Sequence, residues 1–330
     1  MPLSTMFSPE ADARPDATEA SAPSRPPVVL TPVAILANRK SGTNARDAEA
    51  IDRAMAVFGD DARLHHWDTE QDLGALADKA IAGGARTIIA AGGDGTAMAV
   101  AQAVLGKDVA FGVLPLGTFN YFARGLGLPE EASEAARALL AGTPHEIRIG
   151  TVDGQVFLNN ASLGIYPRIL KEREDVYARW GRRRLMAHWS VIRTFWRFQR
   201  PMRMRLTADG AVQDVRTPLL FVARSAYQLE IFGLEGAEAI HDDAFAVLVG
   251  RGETRAELFR LAWRLITRRM QPGRDYDLLA AKHLVVETAK PRMLVAFDGE
   301  KRPDRSPFTF HMEDRPLRLL LPGPRQEAPA

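Results

Sequence analysis

Gly92, Gly93, Asp94, Gly95 and Thr96 follow an apolar run at 87–91 and precede a run of helix formers at 97–105. Strand, glycine turn and helix in that order suit phosphate handling. Glycines let the backbone turn sharply and bring bare N–H groups toward a ligand, and the opening turn of a helix adds unpaired donors and a partial positive charge. Asp94 breaks that pattern, because a carboxylate among phosphate-facing amides repels the ligand unless a cation lies between them. The five residues therefore imply Mg²⁺, which keeps several waters and uses one or two carboxylates, with Asp94 as its protein ligand. Asp-Gly is also a favoured two-residue hairpin turn. A hairpin would continue into a strand, and residues 97–104 show good helix formers with no two-residue alternation.

Two more segments share this arrangement. Asn38-Arg39-Lys40-Ser41-Gly42 follows the apolar run 33–37 and precedes a helical stretch at 45–58. Pro115-Leu116-Gly117-Thr118-Phe119-Asn120-Tyr121-Phe122-Ala123-Arg124 follows the strand-like run 109–114. Loops that each follow a strand line up along one edge of a parallel sheet, where open α/β folds bind ligands.

Together the Asn-x-x-Ser-Gly loop, GGDGT, the Pro-x-Gly-Thr-x-Asn loop and a late Asp298-Gly299-Glu300 resemble the diacylglycerol kinase catalytic domain family, which includes sphingosine kinases and bacterial soluble lipid kinases. The resemblance runs over residues 32–321 in the expected order. NAD kinases share GGDGT and a related fold but usually lack the Pro-x-Gly-Thr-x-Asn loop, so a kinase for a soluble acceptor is the second reading. A nucleotide-binding or lipid-binding module without catalysis is the third. Tyr121 stands where the family often has Asp, and Ile165-Tyr166-Pro167 stands where Phe-Asp often follows Gly164. Both departures bear on the acceptor more than on the reaction.

The resemblance implies transfer of the γ-phosphoryl group of ATP to a lipid hydroxyl, most simply diacylglycerol, with Mg²⁺. Backbone amides of Gly92, Gly93, Gly95 and Thr96 would cradle phosphates, with Gly42 and Gly117 shaping the companion loops. Asn38, Ser41, Thr118 and Asn120 would supply neutral hydrogen bonds, and Lys40 or Arg39 a positive charge. Asp298, with Glu300 as the other candidate, would take the acceptor proton. On its residues alone, Asp298-Gly299 is a β-turn after the strand at 293–297, and only the resemblance makes it catalytic.

Composition bounds the rest. The chain has 330 residues and a formal net charge of +2, enough length for two domains. Zero cysteines exclude disulfides, thiolate metal sites and cysteine nucleophiles. Residues 1–29, rich in Pro, Ala and Ser, read as a disordered tail with neither the basic start nor the apolar core of a signal peptide. No run approaches the ~18 apolar residues that span a bilayer. Residues 176–205 hold nine arginines and no acid, and on a helix at 176–200 Leu185, Trp189, Ile192, Phe195 and Trp196 share one face. Such a helix suits the headgroup boundary of an anionic membrane, although aromatic residues at helical spacing also pack in cores. Nothing else supports nucleic-acid binding. The expected location is the cytoplasm, peripheral to the inner face of the membrane, and the oligomeric state, a homodimer included, stays open.

These segments need a frame. Residues 30–145 alternate strand-like runs (33–38, 62–67, 86–91, 109–114) with helical ones (45–58, one starting at Thr69 with Asp72 as capping partner, 97–105, 130–141). From 146 to 300 the pattern turns to hairpins around Asp153-Gly154 and Asp209-Gly210, with a basic helix at 254–270 and strands near 282–288 and 291–297. The expected fold class is α/β plus β, a three-layer parallel-sheet nucleotide-binding domain of NAD kinase and diacylglycerol kinase type followed by a mainly antiparallel β domain. The resemblance adds that residues 301–321 return to the first domain, leaving 322–330 as a tail.

Overall fold

The computed structural model describes residues 30–38, 45–68, 71–165 and 201–322. The expected N-terminal tail, the loop residues Lys40, Ser41 and Gly42, the helix at 176–200 and nearly all of the C-terminal tail lie outside them.

The first sheet begins with β1 (Val33–Asn38), β2 (Ala62–Trp67), β3 (Thr87–Gly92) and β4 (Ala110–Pro115), all parallel. β3 and β4 are buried at every residue, which is why they read as unbroken apolar runs rather than alternating ones. Helices α1 (Ala45–Phe58), α2 (Leu73–Ala82), α3 (Asp94–Val104), the short α4 (Tyr121–Gly125) and α5 (Ala132–Leu140) connect them. α1 packs on α5 and α2 on α3. α2 starts later than the expected Thr69. Its cap is Asp72, whose side chain accepts from the Ala75 amide and satisfies a donor the helix leaves open.

β5 (Thr143–Ile147) is the antiparallel edge of this sheet. The hairpin expected at 146–160 is therefore shorter: it joins β6 (Gly150–Val152) to β7 (Gln155–Phe157), after which β8 (Asn160–Gly164) enters another sheet. The chain continues with β9 (Met202–Ala208), β10 (Ala211–Thr217), β11 (Leu219–Ala223), helices α6 (Ala226–Phe232) and α7 (Ala237–His241), β12 (Phe245–Gly250) and α8 (Arg255–Ile266). It ends with β13 (Tyr276–Ala281), β14 (His283–Thr288), β15 (Arg292–Phe297), β16 (Glu300–Arg305), β17 (Phe308–Met312) and β18 (Leu317–Leu321).

The second sheet has the order β10-β9-β14-β17-β6-β7 and the third β13-β12-β11-β8-β15-β16. Their pairings are antiparallel. They pack face to face, with the Phe157 ring stacked on that of Phe245 at 5.6 Å. Within 301–321 only β18 joins the first sheet, between β4 and β5. β16 forms the edge of the third sheet, where the Asp298-Gly299 turn folds it back on β15, and β17 lies inside the second, between β14 and β6.

Candidate active site

The parallel register sets the C-terminal ends of β1, β3 and β4 side by side. Ala37 lies beside Ala91, and Gly92 beside Pro115. Asn38, the GGDGT turn and the loop after Pro115 thus share one edge. The two glycine loops touch through their backbones: Leu116 N–H donates to the Gly92 carbonyl at 3.0 Å, and a Cβ on Gly117 would lie 2.5 Å from the Gly93 Cα. Gly92 is needed for a different reason. A Cβ there would strike the Thr96 side chain at 2.4 Å. Thr96 is accordingly buried. Gly93 caps α3 with no side-chain hydrogen bond, so the helix opens with backbone amides, the arrangement that attracts anions. Thr118 and Gly117 are exposed on the neighbouring loop.

Asn120 departs from expectation. Its Oδ1 accepts from Gly117 N–H and its Nδ2 donates to the Gly117 carbonyl, both at 2.9 Å, and its backbone is left-handed at φ 48°. The side chain shapes the loop instead of reaching for nucleotide.

Asp94 is tied as well. Its carboxylate accepts from the amides of Tyr121 at 3.1 Å and Phe122 at 2.9 Å, capping α4 from another element, and from Asn159 Nδ2 at 3.4 Å. One GGDGT residue thereby positions the next loop.

Asp298 comes from the far side. It and Gly299 both have positive φ, 46° and 89°, as the two residues of a tight hairpin turn require. Asp153 and Asp209 occupy equivalent Asp-Gly turns, and their carboxylates likewise accept backbone N–H groups, from Thr309 and from Lys282 and His283. Those two are exposed, whereas Asp298 is buried. Its oxygens accept from the amides of Leu158 at 2.5 Å, Asn159 at 2.8 Å and Asn160 at 3.1 Å. Burial pushes its pKa up to about 7 against those three donors, and the charge of Asp94 adds to the rise. Glu300, two residues on, is exposed and holds its carboxylate over Gly95, where an added Cβ would come within 3.1 Å of Oε1.

Asn159 and Asn160 are absent from the sequence-derived set. Both are buried, and Oδ1 of each lacks a partner among the described residues. Asn160 Nδ2 donates to Gln228 Oε1 on α6 at 2.8 Å. Two adjacent amides inside the apolar run 156–163 were the available signal. An orphaned, buried Asn159 Oδ1 beside Asp94 fits a cation or its water shell. Among the described residues no group of three or more His, Cys, Asp or Glu could hold a metal. The donor set thus suits Mg²⁺ carried largely by water and phosphates.

Residues 32–152 match the family model for the diacylglycerol kinase catalytic domain. Over that stretch the chain is similar to diacylglycerol kinase catalytic domains. It is 41% identical over 105 residues to a Pseudomonas aeruginosa protein named Probable lipid kinase YegS-like, covering 31% of this chain and 34% of that one. It is 36% identical over 149 residues to Probable lipid kinase YegS of Escherichia fergusonii, covering 43% and 48%. The chain thus spans between about a third and a half of the length of these curated relatives. A crystal structure of a diacylglycerol kinase from Bacillus anthracis superposes with a TM-score of 0.62 at 18% identity, over 88% of this chain and 97% of that one. That likeness bears out the α/β plus β fold.

Proposed function

We propose that this protein is an ATP-dependent lipid kinase. Residues 30–145 form its nucleotide-binding unit and 146–300 its mainly β acceptor unit, with β18 tying the chain end back to the first sheet. The observation that carries this reading is convergence: the amide-lined opening of α3 is faced by Asp94, by the orphaned Asn159 and by the Asp298–Glu300 turn. Phosphoryl transfer asks mainly for positioning and charge neutralisation, and this set supplies both.

Amides of Gly93, Gly95 and Thr96 would cradle phosphates, with Asn38 and Thr118 on the flanking loops. Mg²⁺, when bound, would neutralise phosphate charge, held by Asp94 and approached by Asn159 Oδ1. An acceptor hydroxyl attacks the γ-phosphorus, the new O–P bond forms as the bond to the β-phosphate oxygen breaks, and the hydroxyl proton passes to a carboxylate. Sequence alone prefers Asp298 for that proton. Geometry favours Glu300, which is exposed over Gly95, whereas Asp298 is buried and its oxygens accept three backbone amides. Asp298 then positions the turn that aims Glu300.

A hydroxyl-bearing lipid such as diacylglycerol is the acceptor this reading favours, met at the inner face of an anionic membrane. No helix among the described residues is long and apolar enough to cross one. The test is transfer of labelled γ-phosphate from Mg-ATP to a lipid panel in mixed micelles, with NAD as a soluble competitor and Glu300→Gln as the blank. Label in a lipid, lost in the variant, supports the reading. Label in NAD alone overturns it.

A further inference from the structure

Helix α8 presents a surface that the phosphate site does not use. Its inner side is formed by Leu258, Leu261 and Ala262, packed with Ile165 and Leu219 at one end of the third sheet. Away from that side, Phe259, Trp263 and Ile266 recur at spacings of four and three residues, which sets them on one stripe. Trp263 is 66% exposed and Ile266 73%. A capping box between Thr254 and Glu257 fixes the first turn, so the stripe belongs to a well-started helix.

Charge beside the stripe is mainly positive, with Glu235 in the adjoining cavity and Glu257 in the first turn of α8 as the acids. Arg255, Arg260, Arg268 and Arg269 lie on the helix and the turn after it. Two nearby acids are already engaged: Asp275, buried, takes Arg264 and Arg274, and Asp277 takes Arg251. Arg268 and Arg269 form no ion pair among the described residues. With Trp263 and Arg274 they line a shallow cavity next to the stripe.

We infer that α8 is an interfacial docking helix for an anionic bilayer. Trp263 and Ile266 enter the headgroup boundary, and Arg268 and Arg269 meet lipid phosphates. An occupant of this face must offer both apolar depth and negative charge, and an anionic bilayer offers both. A second copy is a poorer occupant, since a twofold contact sets the same patch on itself and brings its unpaired arginines together. The inference deepens the proposed function by bringing the protein to its acceptor, and it rests on that reading only for its purpose, because docking needs neither nucleotide nor acceptor.

The test is sedimentation of the nucleotide-free, full-length protein with vesicles of phosphatidylglycerol and phosphatidylcholine, and with phosphatidylcholine alone. Binding is expected on the anionic vesicles only and should weaken with salt. The double variant Trp263→Ser, Ile266→Ser should partition about tenfold more weakly or worse, with an unchanged melting temperature. Arg268→Glu with Arg269→Glu should also weaken binding and flatten its salt dependence. Equal partitioning of wild type and both variants overturns the inference, as does equal binding to neutral vesicles. A concentration-dependent dimer in analytical ultracentrifugation, abolished by the Trp263 and Ile266 substitutions, overturns it too. Vesicle binding as expected without phosphoryl transfer to any lipid would leave the docking helix standing and remove the kinase.

Discussion

The Cα atoms of Gly93 and Gly117 pack so closely that a Cβ on Gly117 would lie 2.5 Å from its neighbour's Cα and 2.7 Å from Asn120 Oδ1. The first obstacle is backbone and the second is a side-chain oxygen held by its hydrogen bond to Gly117, so the loops must part to admit a methyl group. Gly117→Ala is expected to cost about 1–3 kcal/mol of stability and to weaken ATP binding, measured by denaturant unfolding and calorimetric titration. A variant with wild-type values in both would show that the loops need not touch.

Asp94 and Glu300 should separate under isosteric substitution. Asp94→Asn swaps one acceptor oxygen for an amide donor that faces the amide of Tyr121 or Phe122, so it should lose about 1–3 kcal/mol as well as turnover. Sequence alone leads one to expect unchanged folding from that variant, because the hydrogen bonds to α4 are invisible there. Glu300→Gln, on an exposed side chain, should keep its melting temperature and lose kcat. Full turnover in Glu300→Gln would return the proton to Asp298.

Asp298 makes stability depend on pH. Its folded pKa, raised from 3.8 to about 7, means that the folded protein holds a proton the unfolded chain has released across that window. Its contribution to stability therefore falls as pH rises from 3.8 to about 7 and is level above. Asp298→Asn stays neutral throughout and tolerates the left-handed turn. The variant's unfolding free energy should decline less than that of wild type between about pH 5 and about pH 7. Parallel pH profiles for the two proteins would refute a raised pKa.

Asn159 should act on turnover more than on nucleotide affinity. Asn159→Ala removes a buried amide that donates to Asp94 and whose Oδ1 is orphaned. The expected result is a drop in kcat of about tenfold or more with KM for ATP within about twofold. A matched rise in KM with kcat intact would place Asn159 in ground-state binding.

The glycine turn at 92–96 and the loop after Pro115, the strands before them and the hairpin turns at Asp153-Gly154, Asp209-Gly210 and Asp298-Gly299 were legible in the sequence, because each is written within a few neighbouring residues: an apolar run, a glycine that admits an unusual φ, a run of helix formers. The parallel edge that gathers Asn38, Gly92 and Pro115 followed from the same alternation. What each polar side chain bonds to did not follow. The amide donors to Asp298 lie 138 to 140 residues away in the chain, and those to Asp94 from α4 lie 27 and 28 away. Only tertiary packing buries Asp298 against residues 158–160 where Asp153 and Asp209 stay exposed, and brings Asn159 to Asp94. The β18 strand enters the first sheet while β16 and β17 do not, and Trp263 stays outside while Leu258 goes in. Local residue patterns fix turns and periods, but burial and long-range partners are properties of the assembled chain, and they decide that Asp298 is anchored while Glu300 stays exposed.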